Sequence, residues 1–220
     1  MTFDHPRLEK LTSVSQCISE CHKCPLSHTR TKTVPGHGNH FADIMFVGEG
    51  PGQEEDLSGL PFVGRAGELL TKMITAMGLK REDTFITNII HCRPPGNRTP
   101  TSQEIAECRD YVVGQIAIIQ PKVIVTLGKT AAVGLKLLRE QQPLSSIRGR
   151  VLHYSEQWDG PQTGTNSPEF VPPLTVPVVA TYHPSYLLRC PHEKAKSWSD
   201  LQMAMQLLKT KLPDPGDISP

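Results

Sequence analysis

Four short apolar runs, each followed by a helical pattern, constrain this chain more than any other feature. They lie at 44–47, 84–90, 123–127 and 176–181. Continuous β-branched and aliphatic runs of this length suit strands covered on both faces. Their alternation with helices predicts a mainly parallel sheet between two helical layers. In such a sheet the loops after the strands share one edge, where open α/β folds hold their ligands. Glu49, Asn88 and His183 fall at or just beyond strand ends, so they are expected to converge although far apart in sequence.

The intervening helices are read from apolar spacing and end signals. One is expected over 7–20, one over 66–77 closed by Gly78, and one over 130–139. Thr101-x-x-Glu104 has the form of a capping box and opens a helix with Ile105, Cys108, Val112, Ile116 and Ile119 on its packed face. A closing helix over 193–211 is expected to turn Trp198, Leu201, Met205 and Leu208 to one side. Residues 145–154 read as a short extended segment, and 157–173, rich in Gly, Pro, Ser and Thr, as a mobile surface loop. A chain of 220 residues fits one domain with one core, here 1–212, followed by a frayed tail over 213–220.

Net charge of +1 argues against a protein that wraps nucleic acid with a broadly basic surface, yet leaves room for a local basic groove. No run approaches the roughly 18 apolar residues of a membrane span, and the N-terminal segment lacks a signal-peptide core. A cytoplasmic, non-membrane protein is therefore expected. Its six cysteines are then metal ligands or core thiols rather than disulfides. Cys21-x2-Cys24, Cys92 and Cys108 would complete a tetrahedral zinc site or a 4Fe-4S cluster, with separate core thiols as the plain reading of Cys92 and Cys108. Cys17-x3-Cys21-x2-Cys24 matches the spacing of radical enzymes that use S-adenosylmethionine, but here it ends a helix before any strand, which argues against that chemistry. Cys190 reads as a plain thiol.

The loop after the first run is GEGPGQEEDLSGLPFVGRAG. Glycines at a strand end let a ligand approach the backbone. A carboxylate, bare amides and Phe62 follow within a few residues, and Glu54-Glu55-Asp56 reads either as part of a site or as a solvated acidic run.

GEGPG with its acidic patch, PFVGRAG, TNIIHCRPPGNRTP, CHKC and YHPSYLLR occur together and in order, covering most of the chain from Cys21 to about Leu208. In this the sequence resembles the iron-sulfur uracil-DNA glycosylases of family 4. The resemblance implies a three-layer α/β/α sandwich around a four-stranded, mainly parallel sheet. It also implies a 4Fe-4S cluster on Cys21, Cys24, Cys92 and Cys108. The uracil pocket it implies comprises Glu49, Gly50 and Pro51, with Phe62 for stacking, Asn88 for the base edge and His183 for the leaving group. An Asn amide donates to uracil O4 and accepts from N3–H, a pattern that cytosine inverts.

The expected reaction is base flipping followed by hydrolysis of the N-glycosidic bond, leaving an abasic site. The expected partner is uracil-containing DNA, and the protein is expected to be a monomer. Glu49, Asn88 and His183 are the expected catalytic residues, with Leu187 and Leu188 as the intercalating wedge. Arg93, Arg98, Arg148, Arg150 and Arg189 are candidate phosphate contacts. Where some superfamily members carry an Asp that orients water, this chain has Gly50, leaving Glu49 or backbone carbonyls for that task. Glu55 is a candidate wall against the thymine methyl group. The competing expectation is a non-catalytic, metal-stapled DNA- or nucleotide-binding protein of the same fold.

Overall fold

The computed structural model describes residues 6–158 and 174–209. The expected surface loop falls almost wholly, and the expected tail wholly, outside these residues.

Seven helices and six strands follow one another as α1 (Pro6–Ser19), β1 (His37–Gly38), β2 (Ile44–Gly48), α2 (Gln53–Ser58), α3 (Arg65–Ala76), β3 (Phe85–Asn88), α4 (Ser102–Ile119), β4 (Val123–Leu127), α5 (Lys129–Gly134), β5 (Val151–Glu156), β6 (Leu174–Thr181), α6 (Pro184–Arg189) and α7 (Lys194–Lys209) among the described residues. The strands form one sheet in the order β1-β3-β2-β4-β6-β5. The inner four strands are parallel, as expected, and both edges are antiparallel.

The sheet therefore exceeds the expected four strands by its two edges. β1 is only two residues long, and a Cβ on Gly38 would lie 1.9 Å from the Thr84 carbonyl oxygen, so this pairing depends on glycine rather than on an apolar run. β5 carries the expected extended segment slightly later, at Val151–Glu156, and alternates between exposed and more buried positions. An edge strand with one wet face shows no continuous apolar signal.

Alternation along the central strands divides the core into two layers. Met45 and Val47 face the side covered by α1 and α4, against Val14, Ile18, Val112 and Ile116. Ile44 and Phe46 face the other, covered by α3 and α7, against Leu70, Ile74, Leu201 and Ala204. That is the three-layer sandwich. α4 begins with the expected capping box, Glu104 N–H donating to Thr101 Oγ1 while Thr101 N–H donates to Glu104.

Two helix expectations need correction. α5 stops at Gly134 rather than near 139, because Lys136 turns left-handed at φ 57° and the Leu137 and Lys136 amides close the helix on the carbonyls of Ala132 and Val133. In α7 Leu201, Met205 and Leu208 pack on the core as expected, beside buried Ser197, Asp200 and Ala204, but Trp198 is exposed. Small residues let this helix lie close to the sheet, and Asp200 is buried because Arg148 pairs with it at 2.6 Å.

Candidate active site and cysteine cavity

The parallel strands run β3-β2-β4-β6, so successive strands are added first on one side of β2 and then on the other. The ends of β2 and β4 flank the point of reversal, where a crevice opens in folds of this kind. A cleft of about 1370 Å³ lies there, and Glu49, Gly50, Pro51, Phe62, Asn88 and His183 all line it. The sheet thus gathers every residue expected in the pocket.

Phe62 is held from three sides. Glu55 accepts the amides of Gly52, Val63 and Gly64 at 3.0, 3.0 and 3.3 Å. Arg81 donates to the carbonyls of Pro61 and Phe62 at 2.8 and 3.0 Å. Phe62 itself has φ 53°, a region unfavourable for a bulky side chain, and a Cβ on Gly67 would sit 1.8 Å from its carbonyl oxygen. Three anchors hold a conformation costing on the order of 1–3 kcal/mol. Of the acidic run, Glu54 is exposed, whereas Glu55 lines the cleft with its carboxylate held by these loop amides. Glu55 brackets the Phe62 loop, and buried Asp56 accepts the amides of Thr31 and Lys32, tying down the N-terminal segment.

Gly48 makes room for the two residues that face the ligand space. An added Cβ there would meet Asn88 Oδ1 at 2.4 Å and Phe62 Cζ at 2.6 Å. Asn88 is 1% exposed, and its Oδ1 has no hydrogen-bond partner among the described residues. A buried acceptor without a partner costs on the order of 1–3 kcal/mol.

His183 caps α6, its ring 5.6 Å from that of Phe62. Its Nδ1 accepts the Ser185 amide at 3.1 Å and lies 2.8 Å from Ser185 Oγ. A backbone N–H only donates, so Nδ1 carries no proton and the neutral ring bears its proton on Nε2. Burial, with a contribution from Arg189, pushes its pKa down to about 4. Glu49 accepts a hydrogen bond from Thr130 Oγ1, on the first turn of α5.

The four cysteines Cys21, Cys24, Cys92 and Cys108 line a second, small cavity beside α1 and α4. Arg30 Nη1 donates to Cys92 Sγ at 3.1 Å, and the His91 amide to Cys108 Sγ at 3.4 Å. Burial pushes the Cys24, Cys92 and Cys108 thiols up, and Cys21 and Cys24 lie near enough that their charges would raise Cys92 and Cys108 further. Four thiols converging on one cavity, with cationic and amide donors on the sulfurs, fit a cationic group that stabilises thiolates. Among the described residues no three His, Cys, Asp or Glu side chains are grouped tightly enough to hold a single metal ion.

The family model for the uracil DNA glycosylase superfamily matches residues 35–202. The chain belongs to this superfamily. It is 41% identical over 208 residues to a type-4 uracil-DNA glycosylase of Archaeoglobus fulgidus, covering 94% of this chain and 97% of that protein. It is 43% identical over 185 residues to a type-4 uracil-DNA glycosylase of Thermotoga maritima, covering 84% and 86%. A type-5 uracil-DNA glycosylase of Pyrobaculum aerophilum is 30% identical over a shorter stretch, 46% of this chain.

The surface of this superfamily member narrows the remaining candidates. Leu187 is 1% exposed and packed inside, whereas Leu188 is 36% exposed beside the cleft residue Arg189. Arg98 is engaged by Glu104 through bonds of 2.8 and 2.7 Å, which hold that carboxyl well below its usual range, at about 2. Arg148 is spent on Asp200 and on the Tyr182 ring, 4.1 Å away. Arg93 Nε donates to Asn97 at 2.7 Å, and Arg150 is exposed. Arg65 and Lys129, which sequence reasoning missed, are exposed on the cleft wall with Arg189. Arg81 and Thr130 were also missed, since each acts through a partner distant in sequence. No described helix is long and apolar enough to cross a membrane.

Proposed function

We propose that this protein is a monofunctional DNA repair glycosylase that releases uracil from DNA and leaves an abasic site. The observation that carries the reading is the convergence of a buried, unpartnered Asn88 oxygen, the Phe62 ring and a neutral Nε2–H imidazole on one cleft in a superfamily member. Asn88 Oδ1 would accept uracil N3–H while its amide donates to O4. Cytosine presents a bare N3 and an amino group there, so it would leave buried groups unpaired at about 1–3 kcal/mol each. Phe62 would stack on the flipped base. His183 Nε2–H would donate to O2 as negative charge grows on the leaving uracil, the kind of stabilisation that usually dominates catalysis.

Glu49 is the carboxylate available to orient water toward C1′, since Gly50 offers none. Arg65, Lys129 and Arg189 would bind phosphates along the cleft, and Leu188 would fill the gap left in the base stack. Cys21, Cys24, Cys92 and Cys108 would hold a 4Fe-4S cluster. The resemblance to family 4 favours a cluster over zinc. When bound, such a group supplies a covalent staple between the N-terminal segment, the loop after β3 and α4.

Uracil release from U:G, U:A and single-stranded oligonucleotides tests the reading. Measurable excision, lost in His183→Ala, supports it. Tight DNA binding with no base release would instead favour a non-catalytic binding protein. Absorbance near 400 nm in the purified protein separates an iron-sulfur cluster from zinc.

A further inference from the structure

Sheet order brings together two cleft residues that sequence separates by 81 positions. β2 and β4 are parallel neighbours with Val47 opposite Thr126, so both strands end side by side. Glu49 follows β2, and Thr130 sits on the first turn of the helix that follows β4. Threonines inside helices here spend their hydroxyls on the preceding turn, as Thr12 does on Leu8, Thr71 on Gly67 and Thr75 on Thr71. Thr130 instead crosses the crevice and donates to Glu49 Oε2. Both residues line the cleft and are half-buried.

We infer that Thr130 is a positioning residue for hydrolysis, fixing one oxygen of the Glu49 carboxylate so that the other faces the attacking water. This rests on the glycosylase reading of the cleft. Water adds through its oxygen to C1′ while the C1′–N1 electron pair leaves with uracil, and Glu49 takes the water's proton. A freely rotating carboxylate would populate that geometry only part of the time, whereas a hydroxyl anchored on a helix selects one rotamer. The arrangement supplies from two strand ends what an Asp at position 50 would supply from one.

The test is single-turnover excision from a U:G duplex by the intact protein carrying Thr130→Val, Thr130→Ser, Glu49→Gln and the Val/Gln double substitution. Loss of a hydrogen bond to a charged group predicts that Thr130→Val lowers kcat about tenfold with KM changed less than about twofold. Thr130→Ser should recover most of the rate. In the Glu49→Gln background, Thr130→Val should add less than about twofold, because the pair acts as a unit. Thermal melting of each variant separates a folding defect from lost positioning, and Thr130→Ser carries the comparison should the valine variant melt early. An unchanged kcat in Thr130→Val overturns the inference, as does a tenfold loss that persists beside Glu49→Gln. Full activity in Glu49→Gln overturns it too, leaving nothing to position. Absence of uracil release by the unsubstituted protein would overturn the glycosylase reading itself.

Discussion

The protonation state of His183 is the sharpest consequence of the site, and pH is the perturbation that reads it. With a pKa of about 4, an imidazolium would make up only about 0.1% of the ring population at pH 7 and about 10% at pH 5. Catalysis by a neutral Nε2–H donor is therefore expected to be flat from pH 8 to near 5 and to fall only toward pH 4. Stability follows the same shift with a definite sign. The folded pKa lies below the unfolded value of 6.5, so above pH 6.5 the contribution is fully present. As pH falls from 6.5 to 4 the unfolded chain takes up a proton that the folded chain refuses, and stability declines. A folded pKa of about 4 against 6.5 unfolded sets a ceiling of about 3 kcal/mol, reduced because the ring keeps some contact with solvent in the cleft. Buried His91, also pushed down to about 4, contributes in the same window, so the His183 share is the difference between the unsubstituted protein and His183→Ala. Histidine NMR titration, urea unfolding from pH 4 to 8 and a single-turnover pH profile make the measurement. A His183 pKa at or above 6.5, or a His183-dependent rate that falls through pH 6.5 on either side, would refute catalysis by a neutral imidazole.

Gly48→Ala should fold yet lose at least about tenfold in uracil release, because its methyl group collides with Asn88 and Phe62 and overpacking costs about 1–3 kcal/mol; circular dichroism with excision kinetics checks this. Glu55→Ala removes the acceptor of three loop amides, and a loss of about 2 kcal/mol in urea unfolding is expected, together with weaker substrate binding as Phe62 is freed. Arg148→Met leaves buried Asp200 without its cation, costing about 3–5 kcal/mol, whereas an unchanged unfolding midpoint would show the pair to be dispensable. Cys24→Ser, or oxidative removal of the expected cluster, should bleach absorbance near 400 nm and expose the segment before β2 to limited proteolysis, while the core sheet stays protected.

Much of the architecture was legible because its determinants are local. The four inner strands announce themselves as β-branched runs, the capping box at Thr101 and Glu104 marks the start of α4, and parallel topology alone requires Glu49, Asn88 and His183 to share an edge. The edge strands were less legible, one being two residues long and the other half-exposed. The acidic run was ambiguous for a different reason. A carboxylate's role depends on which donors reach it, and the amides and side chains that occupy Glu55, Asp56 and Glu104 are set by loop geometry rather than by composition.

By itself, then, sequence determined the strand and helix alternation, the family and the convergence of Glu49, Asn88 and His183 in the cleft, because periodicity and strand-end position are encoded residue by residue. Three-dimensional structure decided which of those residues are free to act. Local loop and cap geometry committed Arg98 to Glu104 and set the His183 tautomer through Ser185. Tertiary packing paired Arg148 with Asp200, buried Leu187 while leaving Leu188 exposed, and joined Thr130 to Glu49. A polar side chain's function is fixed by its partners, and the partners of Arg148 and Glu49 are neighbours only once the sheet order has been made.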